Sequence, residues 1–178
     1  MADSVNPPGG TTPPGGAPGA AGPQAAAPRL AVVNQYVKDL SFEHPGAPQT
    51  LMPGGPRPQI GVRVNVSTRA VDDERHEIVL HVNVDAKADE RVVFMLELAY
   101  AGVFALSNVP QETAQAVLLV ECPRLLFPFA RRIVADVTRD GGLPPLMIEP
   151  IDFLGLYRRR LQQAQAAAGS PGTAPQPN

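Results

Sequence analysis

The sequence predicts an α+β fold: a four-stranded antiparallel sheet, then a long bent helix, then a C-terminal helix. Two observations carry this. Between Leu30 and Leu106 apolar residues recur with the two-residue period of strands, and beyond Asn108 they recur at helical spacing. A third bounds the folded part. The 178-residue chain holds 21 Pro and 16 Gly, unevenly placed, with seven Pro and six Gly before Arg29. That stretch has one charged residue, Asp3, and only Met1 and Val5 as larger aliphatic side chains. It cannot bury enough surface to offset the entropy of ordering its backbone. Residues 1–29 are therefore expected to be a disordered leader, 30–163 a single domain, and 164–178 a disordered Ala/Gln/Pro/Gly-rich tail.

The first strand, Leu30 to Phe42, is rich in β-branched residues and stops at the breaker His44-Pro45-Gly46-Ala47-Pro48. A Pro/Gly crossover, Met52 to Pro58, leads to a second strand with Ile60, Val62, Val64 and Val66 on one face and polar residues on the other. In the third, His76 to Ala86, Ile78, Leu80, Val82 and Val84 share a face opposite His81, Asn83 and Asp85. The fourth, Arg91 to Leu106, is apolar on both faces: Val92, Phe94, Leu96, Leu98 and Tyr100 against Val93, Met95 and Ala99, with Glu97 among the latter. Both faces then require cover, which points to a partner subunit.

Asn108-Val109-Pro110-Gln111 predicts an N-cap and first helical turn. Leu126, Phe129, Ala130, Ile133 and Val137 form an apolar stripe, Gly141-Gly142 ends the helix, and Pro123 and Pro128 are expected to bend or break it. Asp152 is placed to cap a last helix with Phe153, Leu154, Tyr157 and Leu161 apolar and Arg158, Arg159 and Arg160 beside them.

Net charge −2 argues against a nucleic-acid binder. No apolar run reaches the ~18–20 residues of a membrane span, and the start has neither the basic nor the apolar region of a secretory signal, so the protein is expected in the cytoplasm. The single cysteine, Cys122, precludes an internal disulfide and reads as a small buried hydrophobe. Neither Gly-Gly pair stands in a nucleotide-binding frame. Asp39 and Glu43 share one face of a strand ~13 Å apart, too far to hold one metal ion but suited to a positively charged partner. No catalytic constellation, cofactor loop or metal set is recognisable, and an enzyme is not expected.

Several segments together resemble the SecB protein-export chaperone family, in its alphaproteobacterial form with an extended leader. They are Gln35 to Glu43 followed by Pro45, Ala47 and Pro48; Gly102-Val103-Phe104; Cys122 to Arg131; and Leu143 to Leu146 running into Pro150-Ile151-Asp152-Phe153. The resemblance implies a SecB-like homotetramer, a dimer of dimers. It implies an ATP-independent cytoplasmic chaperone that binds unfolded precursor proteins and delivers them to the SecA motor, without cofactor, metal, nucleic acid or membrane insertion. An alternative on the same fold is an adaptor dedicated to one client such as a toxin–antitoxin pair. Carried over from the family, the SecA-facing surface falls on Asp39, Glu43, Met95 and Glu97, the client groove on Val62, Val64, Leu154, Tyr157 and Leu161, and oligomer contacts on Leu96, Leu98 and Tyr100. The crossover loop lacks the bulky aromatics usual in the family, and the chain has no Trp, which implies a shallower or differently selective groove.

Overall fold

A computed structural model of the protein describes residues 27–55 and 57–168. The expectations for residues 1–26 and 169–178 lie outside the described residues. Strands β1 (Arg29–Glu43), β2 (Gln59–Ala70), β3 (Arg75–Ala88) and β4 (Arg91–Ser107) form one antiparallel sheet in the order β1-β4-β3-β2. Directly opposed residues share a face, and the alternation is interrupted between Val32 and Asn34 and between Val37 and Asp39 of β1 and between Ala86 and Lys87 of β3. Leu96 opposes Phe42 and Val84, and Leu98 opposes Leu40 and Val82, so the branched positions of three strands line one surface. Since β1 and β2 occupy opposite edges, the segment between them must cross the sheet. It contains a single 3₁₀ turn, Gln49–Leu51.

Of the two outcomes expected for the long helix, bent or broken at its prolines, the structure has a helix that is not broken. α1 (Gln111–Ala116) continues through a π-type turn, Val117–Glu121, into α2 (Cys122–Asp140). Pro123 has no N–H to donate, and its ring presses on the carbonyl four residues back. The chain widens just before it, with the Cys122 amide donating to the Val117 carbonyl, and the helix runs on instead of stopping. Pro128 lies inside α2 on its exposed side. The expected cap at Asn108 is replaced: Pro110 holds the N-cap position without a side-chain bond, and Asn108 has a positive φ of 56°.

The C-terminus of α2 follows its sequence. Gly142 takes φ 79°, the Leu143 amide donates to the Thr138 carbonyl and the Gly142 amide to that of Arg139. This paired closure depends on a residue that tolerates the left-handed region. Asp152 caps α3 (Phe153–Ala168), its carboxylate accepting from the Gly155 amide at 2.9 Å. The helix extends beyond Gln163, the expected end of the domain.

The helices cover one face of the sheet. Ile78, Leu80, Val82, Leu96, Leu98 and Phe104 pack with Leu126, Ala130 and Val134 of α2 and Phe153 of α3 in one core. Each such burial contributes roughly 1.5–3 kcal/mol. Gly102 lets helix and sheet approach closely, since a Cβ there would meet Leu126 at 2.8 Å. The extended segment 143–152 is tied down by Thr138, fully buried, whose hydroxyl donates to the Val134 carbonyl and accepts from the Leu146 amide, each at 2.9 Å.

Candidate functional site

The uncovered face of the sheet carries the first candidate surface. Opposed pairs place Glu43 beside Met95, Ser41 beside Glu97 and Asp39 beside Ala99, so all four expected docking residues share this face. β3 extends it, with Asp85 opposite Met95 and Asn83 opposite Glu97. Asp39, Glu43 and Glu97 are exposed and enter no ion pair among the described residues, whereas Asp85 is held by Arg63 at 2.9 Å. Met95 is exposed between the carboxylates. The face thus offers unneutralised negative charge around one apolar side chain, chemistry suited to a basic partner.

Next to it lies a cluster that sequence reasoning missed. Glu77 is only 3% exposed, accepts from the Tyr36 hydroxyl, and is paired with Lys38 at 2.9 Å and Arg69 at 3.1 Å. The hydroxyl and ammonium hold the Glu77 carboxyl below the usual carboxylate range, and the same hydrogen bond to Glu77 pushes the Tyr36 hydroxyl up. Tyr36 and Glu77 are forty-one positions apart, so no spacing rule pairs them.

The second candidate surface runs along the β2 edge. Two recesses adjoin there. One of about 470 Å³ is lined by Ile60, Val62, Val64, Met147 and Ile151, and one of about 430 Å³ by Tyr157, Leu119, Arg159 and Arg160. Val64 and Leu156 line both, making one continuous groove between β2, the 143–152 segment and α3. Of the residues assigned to a client groove, Val62 lines the first recess, Tyr157 the second and Val64 both. Leu154 instead packs against the main core, and Leu161 lies exposed outside both recesses. Leu156 was missed, although its spacing of three from Phe153 puts it on the same side of α3. The crossover segment lines a separate recess of about 1000 Å³ with the β3–β4 turn, through Gly46, Gln49, Thr50, Arg91 and Val92.

Leu96, Leu98 and Tyr100 require a correction. They are 0%, 2% and 7% exposed, covered by the chain's own helices, and so lie in the core and not on a free interface. Both-sided apolarity in β4 has an intramolecular explanation: helices cover one face, and Val79, Ala99 and Ala101 form a small buried cluster on the other. Free apolar surface lies elsewhere, at Leu125 and Phe129 of α2 and at Val32, Val33, Val37 and Leu40 of β1. Phe129 stacks on Tyr100, whose hydroxyl donates to Gln35 at 3.2 Å, so Tyr100 supports that surface from beneath.

Cys122 is wholly buried, and burial pushes its thiol up to about 12, leaving it protonated. Among the described residues no group of three His, Cys, Asp or Glu is placed to hold a metal ion, and no helix is long and apolar enough to cross a membrane.

Residues 23–164 match the family described as preprotein translocase subunit SecB. The protein-export protein SecB of Maricaulis maris is 55% identical over 147 residues, 83% of this chain and 84% of that protein. Its counterpart from Parvibaculum lavamentivorans is 54% identical over 144 residues, 81% of this chain and 86% of that one. Among solved structures, a SecB-like chaperone of Mycobacterium tuberculosis, in complex with a ChAD peptide from the HigA1 antitoxin, superposes with a TM-score of 0.58. It is 17% identical and spans 69% of this chain and 91% of its own, a likeness of fold.

Proposed function

The chain belongs to the SecB family, and from that membership we propose that it is a cytoplasmic, ATP-independent holdase for protein export. It keeps precursor proteins unfolded and passes them to the SecA motor. The observation that carries this reading is the groove along β2, α3 and the 143–152 segment, open to solvent and lined by Ile60, Val62, Val64, Leu119, Ile151 and Leu156, with Arg159 and Arg160 at one end. Binding there runs on burial, at roughly 1.5–3 kcal/mol per well-covered large apolar side chain. Contacts linked along one wrapped client become intramolecular after the first, so weak sites add up to a reversible hold.

The unpaired carboxylates Asp39, Glu43 and Glu97 around Met95 support the docking of SecA. Such exposed charges steer and orient more than they hold, and salt weakens them. Glu97→Lys is expected to lower SecA affinity severalfold in low salt, measured by titration calorimetry, with a smaller difference in high salt. Unchanged affinity in low salt would remove Glu97 from the docking surface.

The holdase itself is tested by the fluorescence-monitored refolding of a slow-folding secretory precursor without nucleotide. Arrest at a stoichiometric ratio is expected; normal refolding in excess protein would overturn the reading. The alternative, an adaptor for one client such as a toxin–antitoxin pair, is favoured by the fold it shares with the antitoxin-peptide-bound chaperone. The free acidic face tilts the balance to export, since a dedicated adaptor has no use for a SecA-facing surface.

A further inference from the structure

The uncovered face of the sheet carries cations as well as carboxylates, and the two kinds are sorted. Lys38, Arg63 and Arg69 stand on it, and each is taken by a carboxylate of β3. Glu77 holds Lys38 at 2.9 Å and Arg69 at 3.1 Å, and Asp85 holds Arg63 at 2.9 Å. Asp39 and Glu43 of β1 and Glu97 of β4 are left without an ion pair among the described residues. Lys38 is the cation best placed to neutralise them. Strict alternation would send Lys38 and its neighbour Asp39 to opposite faces. The register of β1 against β4 slips between Val37 and Asp39, so Lys38 falls outside the pairing, and its ammonium emerges on the face that Asp39 occupies.

Sequence neighbours of opposite charge do pair in this protein, as Arg139 and Asp140 do at 3.4 Å. Lys38 instead crosses β4 to bond both oxygens of Glu77, each at 2.9 Å. The route is open because β4 presents only Ala99 and Ala101 there, opposite Asp39 and Tyr36. The Tyr36 hydroxyl takes the same route and fixes the Glu77 carboxylate from above. A carboxylate that is 3% exposed and already hydrogen-bonded is a stronger counter-ion than an exposed neighbour such as Asp39. We propose that Glu77 keeps Lys38 off Asp39 and thereby keeps the docking face negative. Glu77 is then a positioning residue for the basic partner, which it is too buried to touch. This deepens the docking reading of Asp39, Glu43 and Glu97 above and rests on it.

The test titrates the full chain with SecA in low salt by calorimetry. Glu77→Gln keeps the side-chain shape and an acceptor for the Tyr36 hydroxyl but releases Lys38. It is expected to lower the affinity about threefold, with a thermal melt confirming that the variant is folded at the assay temperature. The loss should disappear when Lys38→Gln is added. It should also be absent on an Asp39→Asn background, where no carboxylate remains beside Lys38 to be neutralised. Lys38→Gln by itself alters only an exposed side chain and leaves the fold intact. It should shift the affinity less than about twofold, because Glu77 already occupies that ammonium. Four results would overturn the role of Glu77: no loss in folded Glu77→Gln, a loss that persists in the double variant, an equal loss on the Asp39→Asn background, or a severalfold gain from Lys38→Gln alone. In each, Asp39→Asn still weakening SecA would leave the docking face in place. Affinity unchanged by both Asp39→Asn and Glu97→Lys would overturn the docking reading itself.

Discussion

At the residue scale, Glu77 shows how a charge survives in a nearly closed site. Its partners Tyr36, Lys38 and Arg69 come from β1 and β2, on either side of the strand pair that carries it. The cluster thereby links both edges of the sheet on the face that helices do not cover. Because Lys38 and Arg69 are well exposed, solvent discounts their share, and the hydrogen bonds to the buried carboxylate dominate. Glu77→Gln is expected to cost about 1–3 kcal/mol at neutral pH, measured by urea denaturation. The sign with pH follows from the depressed carboxyl. The cluster's contribution is complete above the unfolded carboxylate range and is lost as pH falls through the folded value. The acid limb of the stability profile, below about pH 5, should be flatter in Glu77→Gln than in the parent.

At the element scale, the groove wall depends on one hydroxyl. The 143–152 segment has no regular secondary structure, yet Ile148 is buried and the Leu146 amide is held by Thr138 from inside α2. Thr138→Val keeps the volume but removes both the donor to Val134 and the acceptor for Leu146. It is expected to destabilise the protein by roughly 1–3 kcal/mol and to speed hydrogen exchange at Leu146 more than at the β4 core. Exchange that rises uniformly across the chain would mean that Thr138 acts only through global stability. The π-type turn before Pro123 belongs to the same scale. It keeps α1 and α2 in one helical run, so Leu118 and Leu119 reach the core from the turn while Leu126 and Ala130 reach it from α2.

At the scale of the whole molecule, the apolar residues left over after the core is built are grouped. Leu125 and Phe129 stand 44% and 45% exposed on α2, and β1 presents Val32, Val33, Val37 and Leu40 along an open sheet edge. Side chains of this size clustered on a protein surface mark association surfaces. In the homotetramer that the family resemblance implies, we propose that they supply two kinds of contact, strand edge to strand edge and helix to helix. Phe129→Asp is expected to lower the mass in multi-angle light scattering from four chains to a smaller species while circular dichroism retains the parent's profile. An unchanged tetramer would take the α2 face out of the interface. The variant also separates assembly from the protomer fold, because Phe129 lies outside the buried core whereas Tyr100 beneath it does not.

Local patterning alone determined the four strands in order, the two capped helix ends at Gly142 and Asp152, and the face shared by Asp39 and Glu43. Each of these is set by a period or a cap that acts within a few residues. The family was legible from motifs standing in register along the chain. Tertiary structure decided the rest. Two apolar faces on β4 say that both are covered, but only packing reveals that the chain's own helices bury Leu96 and Leu98 and that the free surface lies on α2 and β1. The ion cluster at Glu77, the bond from Arg160 to the Val66 carbonyl and the groove between β2 and α3 join residues dozens of positions apart. Periodicity ranks which side of an element is apolar; which neighbour covers it is settled by how the elements close on one another.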